Sequence, residues 1–282
     1  MNLFQEQLNK LLSGLNIKSV EGMILFNQPA KIKPMSSATI RGIAGNLLVK
    51  SNIHYAQEYF KPGDGGSQPS ACLFESMVTK YKRSSSLPFR IKTWCLDDEF
   101  LNTLVNLLAK LENCSFSEEG AEIKKIFFCD ITPLKFSFDF DDYQDLRINL
   151  THPLLLKSRN GKWINKNRIT LGHVVKASVL RLNKLSEYYG NKIKLDLQYA
   201  LAETAFSRMS YSNLDFVEDK RFSKTQNRVI RLGGITGYFC YLNLSPSIVA
   251  LLQASSHFHI GKHASSGCGM ISTEKIKYRE VL

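Results

Sequence analysis

The sequence predicts an α+β protein built from two tandem ferredoxin-like (RRM-like) domains, because the order strand, helix, strand, strand, helix, strand occurs twice along its 282 residues. Short apolar runs typical of strands alternate with amphipathic helical stretches, and an acidic segment at residues 139–145 separates the two sets. We expect the first domain over residues 1–140 and the second over residues 145–282. A hydrophobic content of 44% is enough for the cores of both.

The first domain is predicted to start with a short amphipathic helix, residues 1–15. Apolar runs mark its strands, and apolar side chains at helical spacing behind polar caps mark its helices. The predicted elements are a strand at 22–28, a helix at 36–50, strands at 72–81 and 87–96 joined by a turn at 82–86, a helix at 99–111 and a strand at 123–131. RNA-binding domains often have this order.

The second domain repeats the order with clearer helix signals. Thr170 caps a long helix that Gly190 ends, and Ser245 followed by Pro246 marks the start of another. The predicted elements are a strand at 146–157, a helix at 169–190, strands at 204–217 and 227–242 and a helix at 245–256. Residues 257–271 are then expected in or just before the last strand.

The charge of the chain points to an anionic partner such as nucleic acid or a membrane surface. The formal net charge is +12, and residues 157–194 hold ten Lys or Arg against one Glu, whereas residues 97–145 hold twelve acids against four bases. No apolar run reaches the roughly 18 residues of a membrane span, and no basic leader opens the chain. We therefore expect a cytoplasmic protein without a membrane span, whose C-terminal half binds the anion.

The most unusual stretch of the sequence is "HFHIGKHASSGCGMI", residues 257–271. A Walker loop requires lysine and a hydroxyl after its second glycine, but Lys262 follows the first glycine here, and no dinucleotide fingerprint is present. A glycine-rich loop remains, whose main-chain amides and lysine could approach an RNA backbone closely.

The segment "HIGKHASSGCGMI" resembles the C-terminal glycine-rich signature of the CRISPR RNA-processing endoribonucleases of the RAMP superfamily. Ser266 stands where that signature usually has an aromatic residue, and Thr225 stands at a position that is often basic. Four further segments resemble the family in the same order: "IRGIAGNLL", "INLTHPLLLKSRNGK", "VLRLNKLSEYYG" and "RFSKTQNRVIRLGGITG". Together they extend over most of residues 40–271.

The resemblance implies tandem ferredoxin-like domains that bind the repeat of a CRISPR precursor transcript and cut it once, without a metal or another cofactor. In this reaction the ribose 2′-hydroxyl attacks the adjacent phosphate and leaves a 2′,3′-cyclic phosphate and a 5′-hydroxyl. Such chemistry requires a base, an acid and positive charge near the phosphorane. A homodimer and an association with CRISPR effector subunits are both open.

The resemblance makes His54 the first candidate for the catalytic base, because the catalytic histidine of the family often lies at or after the first helix of the N-terminal domain. Lys61 and Lys50 are weaker partners that would stabilise the phosphorane. The alternative for His54 is a buried structural side chain, and for Lys61 a solvated surface charge. His263, inside the glycine-rich loop, is both an RNA-contact candidate and the second candidate for the catalytic imidazole.

The predicted RNA contacts are basic side chains, polar side chains that could read a base edge, and the residues of the glycine-rich loop. They are Arg41, Lys50, Arg181, Arg221, Ser223, Gln226, Arg228, Arg231, Gly261, Lys262, His263, Gly267 and Gly269. For each single base, a solvated surface charge is the alternative. Phe136, Phe138 and Phe140 alternate as on a strand face and could stack on bases, although core packing is the safer interpretation.

Three alternatives remain open at the level of the sequence. His257 and His259 would lie on one side of a strand, but no third ligand at suitable spacing accompanies them, so no metal site is predicted. A non-catalytic RAMP-type subunit that holds guide RNA would have the same composition and fold, and His54 is the feature that separates the two. A general basic RNA chaperone would bind mainly through phosphates, with little sequence preference.

Overall fold

The computed structural model of the protein describes residues 2–33, 35–53, 69–78, 80–94, 98–116, 120–138, 142–158, 160–218, 220–223, 228–231 and 233–276. The helices are α1 (Leu3–Ser13), α2 (Ser36–Lys50), α3 (Asp98–Ala109), α4 (Leu171–Tyr189), α5 (Leu197–Glu203) and α6 (Pro246–Ser255). The strands are β1 (Lys18–Ile32), β2 (Cys72–Ser76), β3 (Lys82–Thr93), β4 (Cys114–Ser115), β5 (Glu122–Phe128), β6 (Thr132–Pro133), β7 (Gln144–Leu154), β8 (Arg208–Val217), β9 (Lys220–Ser223), β10 (Arg228–Arg231), β11 (Gly234–Leu244) and β12 (Ile271–Lys275).

One compact unit comprises Leu15–Lys135 together with Ser265–Gly267. Its antiparallel sheet has the strand order β2-β3-β1-β5-β4, and β6 pairs with the start of β1. On the face of the sheet that α2 and α3 cover, Val20, Ile24 and Ile91 are buried, because alternate residues of β1 and β3 point to this face. The order of β1, α2, β2, β3, α3 and β5 is that of a ferredoxin-like domain.

The other unit comprises Met1–Gly14, Phe136–Ala264 and Cys268–Leu282. Its sheet has the order β12-β7-β11-β8, formed by antiparallel pairing throughout, and α4 and α6 pack against each other. Buried side chains from these strands and helices form the core, including Ile148, Phe239, Val175, Leu182 and Leu251. The predicted fold class, two tandem ferredoxin-like domains, is confirmed.

The N-terminal helix lies in the unit that holds the C-terminal sheet. Phe4 stacks on Tyr199 with ring centroids 5.4 Å apart, and the Asn2 amide donates hydrogen bonds to Tyr199 and Ser247. The sequence-based division into domains 1–140 and 145–282 instead assigned this helix to the first domain. The division itself stays a prediction. Helix α1 has an apolar face, formed by Phe4, Leu8 and Leu11, that must be covered, but sequence order alone does not determine which core covers it.

Three local predictions differ from the structure. Residues 82–86 are not a turn: they form the first part of β3, where exposed and half-buried side chains alternate from Arg83 to Ser86. The strand predicted over 227–242 is two strands, β10 and β11. His257 and His259 do not share a strand face, because His257 lies in a turn after α6 and His259 has a φ of 52°.

Candidate RNA-binding site

The glycine-rich segment, residues 260–269, is held against the end of β7 by main-chain hydrogen bonds. The N–H of Lys262 donates to the carbonyl of Leu155 at 3.0 Å, and the N–H of Gly269 donates to Pro153 at 2.9 Å. The segment also closes on itself, since the N–H of Ile260 donates to Gly269 at 3.0 Å. These bonds position the segment without using any charged side chain.

The path of the segment requires left-handed backbone conformations, which glycine adopts at least cost. Gly261, Gly267 and Gly269 have φ values of 83°, 91° and 71°. A Cβ at Gly261 would lie 2.7 Å from the Leu155 carbonyl oxygen, a Cβ at Gly269 would collide with the Ile260 carbonyl, and a Cβ at Gly267 would collide with the Ser37 hydroxyl. The glycines are therefore needed both for the turn and for close packing.

Lys262 and His263 are exposed at the turn of this segment, between the buried Ile260 and Ala264. Partial burial of the imidazole and the adjacent ammonium of Lys262 lower the pKa of His263 below its ordinary value of 6.5. The neutral imidazole therefore predominates at pH 7 and can accept a proton or a hydrogen bond. A cation and a neutral imidazole are thus presented side by side on a fixed backbone.

Arg181 on α4 contacts Phe258, two residues before this segment. Its Nε donates to the carbonyl oxygen of Phe258 at 3.3 Å, and burial lowers the pKa of its guanidinium to about 10, so it stays protonated at pH 7. This contact connects α4 to the residue before His259. The predicted role of Arg181 as a phosphate contact stays a prediction.

His259, directly before the segment, and His152 on β7 are both buried. The Nδ1 of His259 is 3.1 Å from the Cys268 carbonyl oxygen, and the two imidazole centroids are 6.4 Å apart. Among the residues that the structure describes, no three His, Cys, Asp or Glu side chains are grouped so that they could hold a metal ion. The two histidines belong to the packing of the segment against β7.

Residues 148–271 match the family model described as CRISPR-associated endoribonuclease Cas6. This range contains α4, β8 to β11 and the whole glycine-rich segment. The resemblance to the Cas6 family is confirmed. No curated protein matches the chain.

Solved structures of Cas6 proteins share the fold of the whole chain. The chain is similar to the "Cas6 (TTHB231) product complex", with 12% identity, a TM-score of 0.59, and coverage of 92% of this chain and 100% of that one. It is also similar to "Thermus thermophilus Cas6 (TTHB231)", with 11% identity, a TM-score of 0.55 and coverage of 92% and 99%. The "Partial Cas6-RT-Cas1--Cas2 complex" matches at 12% identity and a TM-score of 0.57, with 93% of this chain covering 46% of that one.

Two further predicted RNA contacts lie on α2, ahead of the Cas6-matched range. Lys50 is exposed in the last turn of this helix. Burial lowers the pKa of Arg41, an effect that the nearby Cys72 opposes. Arg41 is thus largely covered, whereas Lys50 is available to solvent.

The predicted basic contacts at 221–231, within the Cas6-matched range, lie on the antiparallel strands β9 and β10. Arg228 lies opposite Ser223 in this two-stranded sheet, and Ile230 lies opposite Arg221. Arg231 pairs with Lys220 at the open end. Gln226 lies outside the described residues, as do the predicted catalytic pair, His54 and Lys61.

Phe136 and Phe138 are not on a strand. Phe136 stacks against Phe138 at 6.0 Å and against Phe258 at 5.8 Å between centroids, so the core-packing interpretation describes Phe136 better than base stacking does. Phe140 lies outside the described residues.

An exposed tryptophan in the turn after β7 was missed at the level of the sequence. Trp163 is 51% exposed, and the Lys157 ammonium lies 4.7 Å from its ring centroid. The available signal was a tryptophan directly after Asn-Gly-Lys in a run of basic and polar residues, because such a turn has no core to bury the ring.

Proposed function

We propose that this protein is a metal-independent endoribonuclease that binds CRISPR precursor RNA and cleaves it once within the repeat. The observation that supports this proposal best is the exposed pair Lys262 and His263, held on a rigid glycine-rich turn inside the Cas6-matched range. A cation close to main-chain amides is suited to a phosphate group. A neutral imidazole next to it is suited to a proton transfer or to a base edge.

The proposed reaction needs no redox partner. A base removes the proton of the ribose 2′-hydroxyl, the 2′-oxygen attacks the adjacent phosphorus, and the bond from phosphorus to the 5′-oxygen breaks. An acid protonates the leaving 5′-oxygen, so the products carry a 2′,3′-cyclic phosphate and a 5′-hydroxyl. We assign the base to His54 and stabilisation of the phosphorane to Lys61, with His263 as the second candidate for the base.

The proposed RNA contacts are mostly basic side chains, which would bind the phosphates of the RNA. Lys262 is the best placed of them, because its main chain is fixed to Leu155 while its side chain is exposed. Each phosphate contact adds to the salt dependence of binding. We further propose that the protein acts in the cytoplasm and that its partner is the CRISPR repeat, alone or with effector subunits.

The proposal is tested by a cleavage assay on labelled CRISPR repeat RNA from the source organism in excess EDTA. Wild type, His54→Ala and His263→Ala are compared, with His173→Gln as a control histidine on α4 outside the glycine-rich segment. We expect a single cut that ends in a cyclic phosphate. Cleavage should be lost in His54→Ala while RNA binding persists. Cleavage should also be lost on an RNA with a 2′-deoxyribose at the cleaved nucleotide, because that RNA lacks the attacking 2′-hydroxyl.

Two outcomes would reassign the protein. If His263→Ala and not His54→Ala abolishes cleavage, His263 is the base. If wild type binds the repeat but never cuts it, with or without added divalent metal, the endonuclease proposal is wrong and a non-catalytic RAMP-type RNA-binding subunit replaces it.

A further inference from the structure

The turn that follows β7, described at residues 156–158 and 160–164, has the structure of a small fixed hairpin. The N–H of Ser158 donates to the carbonyl of Lys162 at 2.8 Å, and Lys157 forms an isolated antiparallel bridge with Trp163. The N–H of Ile164 donates to Leu156 at 3.0 Å, and both of these apolar side chains are buried. The base of the turn is therefore anchored in the core while its tip faces solvent.

The tip of this turn combines an aromatic ring with positive charge. Trp163 is 51% exposed, with the Lys157 ammonium 4.7 Å from its ring centroid, whereas the chain's other tryptophan, Trp94, is fully buried. Five of the twelve residues at 157–168 are Lys or Arg and none is acidic. Of these bases, Lys157, Lys162 and Arg168 are exposed, and Lys166 is paired with Asp215 at 3.1 Å.

The turn is connected directly to the glycine-rich segment. The carbonyl of Leu155, the residue before the turn, accepts the main-chain hydrogen bond of Lys262. The turn, Lys262 and His263 belong to the same compact unit. The exposed bases of the turn and the exposed Lys262 and His263 are thus attached to adjoining backbone.

We propose that Trp163 is a stacking contact for an unpaired nucleotide of the bound RNA and that Lys157 and Lys162 contact the flanking phosphates. An indole ring offers every base a stacking surface regardless of sequence, and Trp163 presents its ring to solvent on an anchored turn. The surrounding positive charge selects a polyanion over a neutral or basic protein surface. The inference rests on the RNA-binding part of the proposed function and does not require cleavage.

The test measures the affinity of a labelled single-stranded repeat RNA and of a fully paired RNA of the same length. Trp163→Leu should weaken binding of the single strand roughly 5- to 150-fold, the range of one base-to-aromatic contact, and should change duplex binding much less. Trp163→Phe keeps an aromatic ring and should bind close to wild type. Log K for RNA binding falls with log salt concentration, and the steepness of this fall increases with each phosphate contact. Lys157→Ala and Lys162→Ala should each reduce that slope by about one, the value for one phosphate contact.

Phe127→Leu is the matched control, because the Lys125 ammonium lies 5.0 Å from the ring of Phe127, which is 46% exposed on β5. It should bind RNA like wild type. Intrinsic fluorescence adds a direct readout, since Trp94 is buried: single-stranded RNA should quench the emission of wild type and not that of Trp163→Phe.

Unchanged affinity in Trp163→Leu together with unchanged fluorescence on adding RNA would overturn the proposal. If Trp163→Leu then cleaves RNA at the wild-type rate, the stacking proposal is wrong but the endonuclease proposal still holds. Conversely, quenching and weakened binding without any cleavage in wild type would support the stacking contact while the endonuclease proposal fails. Binding of an acidic protein to Trp163, with no effect on RNA, would also overturn it.

Discussion

The main-chain N–H of Lys262 lies 3.0 Å from the carbonyl oxygen of Leu155, so the exposed lysine of the glycine-rich turn is fixed to the last residues of the β7 region. The same carbonyl leaves no room for a side chain at the preceding residue, Gly261, where a Cβ would lie 2.7 Å away. The close approach of these two backbones therefore depends on glycine.

This relationship predicts different effects for two glycines with similar backbone angles. Gly261 has a φ of 83° and is crowded, whereas Gly161 has a φ of 74° and open space around the position of a Cβ. Gly161→Ala should cost only about 1–2 kcal/mol, the penalty of the left-handed region. Gly261→Ala should cost more and should also weaken RNA binding, because it displaces Lys262.

Urea unfolding measures the free energies of these variants, and RNA titration measures their affinities. Equal losses of stability in the two variants would contradict the close approach of Gly261 to Leu155.

The buried ion pair between Glu75 and Lys92 predicts a large effect of removing one partner. The Lys92 ammonium lies 2.5 Å from Oε1 of Glu75, and both side chains are almost fully buried on neighbouring strands β2 and β3. Glu75→Gln would leave the lysine charge without its carboxylate, so we expect a loss of about 3–5 kcal/mol in the free energy of unfolding.

A double variant separates the charge from the packing. Glu75→Leu combined with Lys92→Met removes both charges and should recover most of the stability lost in the single variant. Asp215→Asn, which breaks the exposed pair with Lys166, should have little effect. If Glu75→Gln and wild type unfold at the same urea concentration, the buried ion pair does not contribute to stability and the prediction is wrong.

The start of α4 predicts a loss of stability on acidification. The N–H of Thr170 donates to Nδ1 of His173 at 3.2 Å, so this nitrogen must be unprotonated. Burial, and then repulsion by Lys176, lower the pKa of His173 below 6.5. Because the unfolded chain binds a proton more readily than the folded one, this contribution is fully present above pH 6.5 and is lost as the pH falls through the folded pKa.

His173→Gln keeps a side chain that can complete the capping box but does not titrate. Between about pH 7.5 and about pH 5.5, the melting temperature of wild type should fall more than that of the variant. Thermal unfolding measures the melting temperatures of wild type and His173→Gln at both pH values. Their difference isolates the effect of His173, because the lowered pKa of His263 affects both proteins in the same direction. Parallel pH profiles would show that the cap does not require a neutral imidazole.

Much of the fold could be predicted because its signals are local. The helices at 36–50, 171–189 and 246–255 lie within the predicted ranges, since caps such as Thr170 and apolar residues at helical spacing act over a few neighbouring residues. None of the helices in the part of the chain that the structure describes is both long and apolar enough to cross a membrane.

The sequence by itself determined the two ferredoxin-like orders, the basic half of the chain and the glycine-rich signature, because periodicity, charge and glycine spacing are properties of short segments. Only the tertiary structure decided that α1 packs against helices of the C-terminal unit, that Lys92 is buried against Glu75 and that Trp163 is exposed beside Lys157. These outcomes depend on which distant segments cover a given face. The residues next to an apolar or charged side chain in the sequence do not determine which distant residue it will contact.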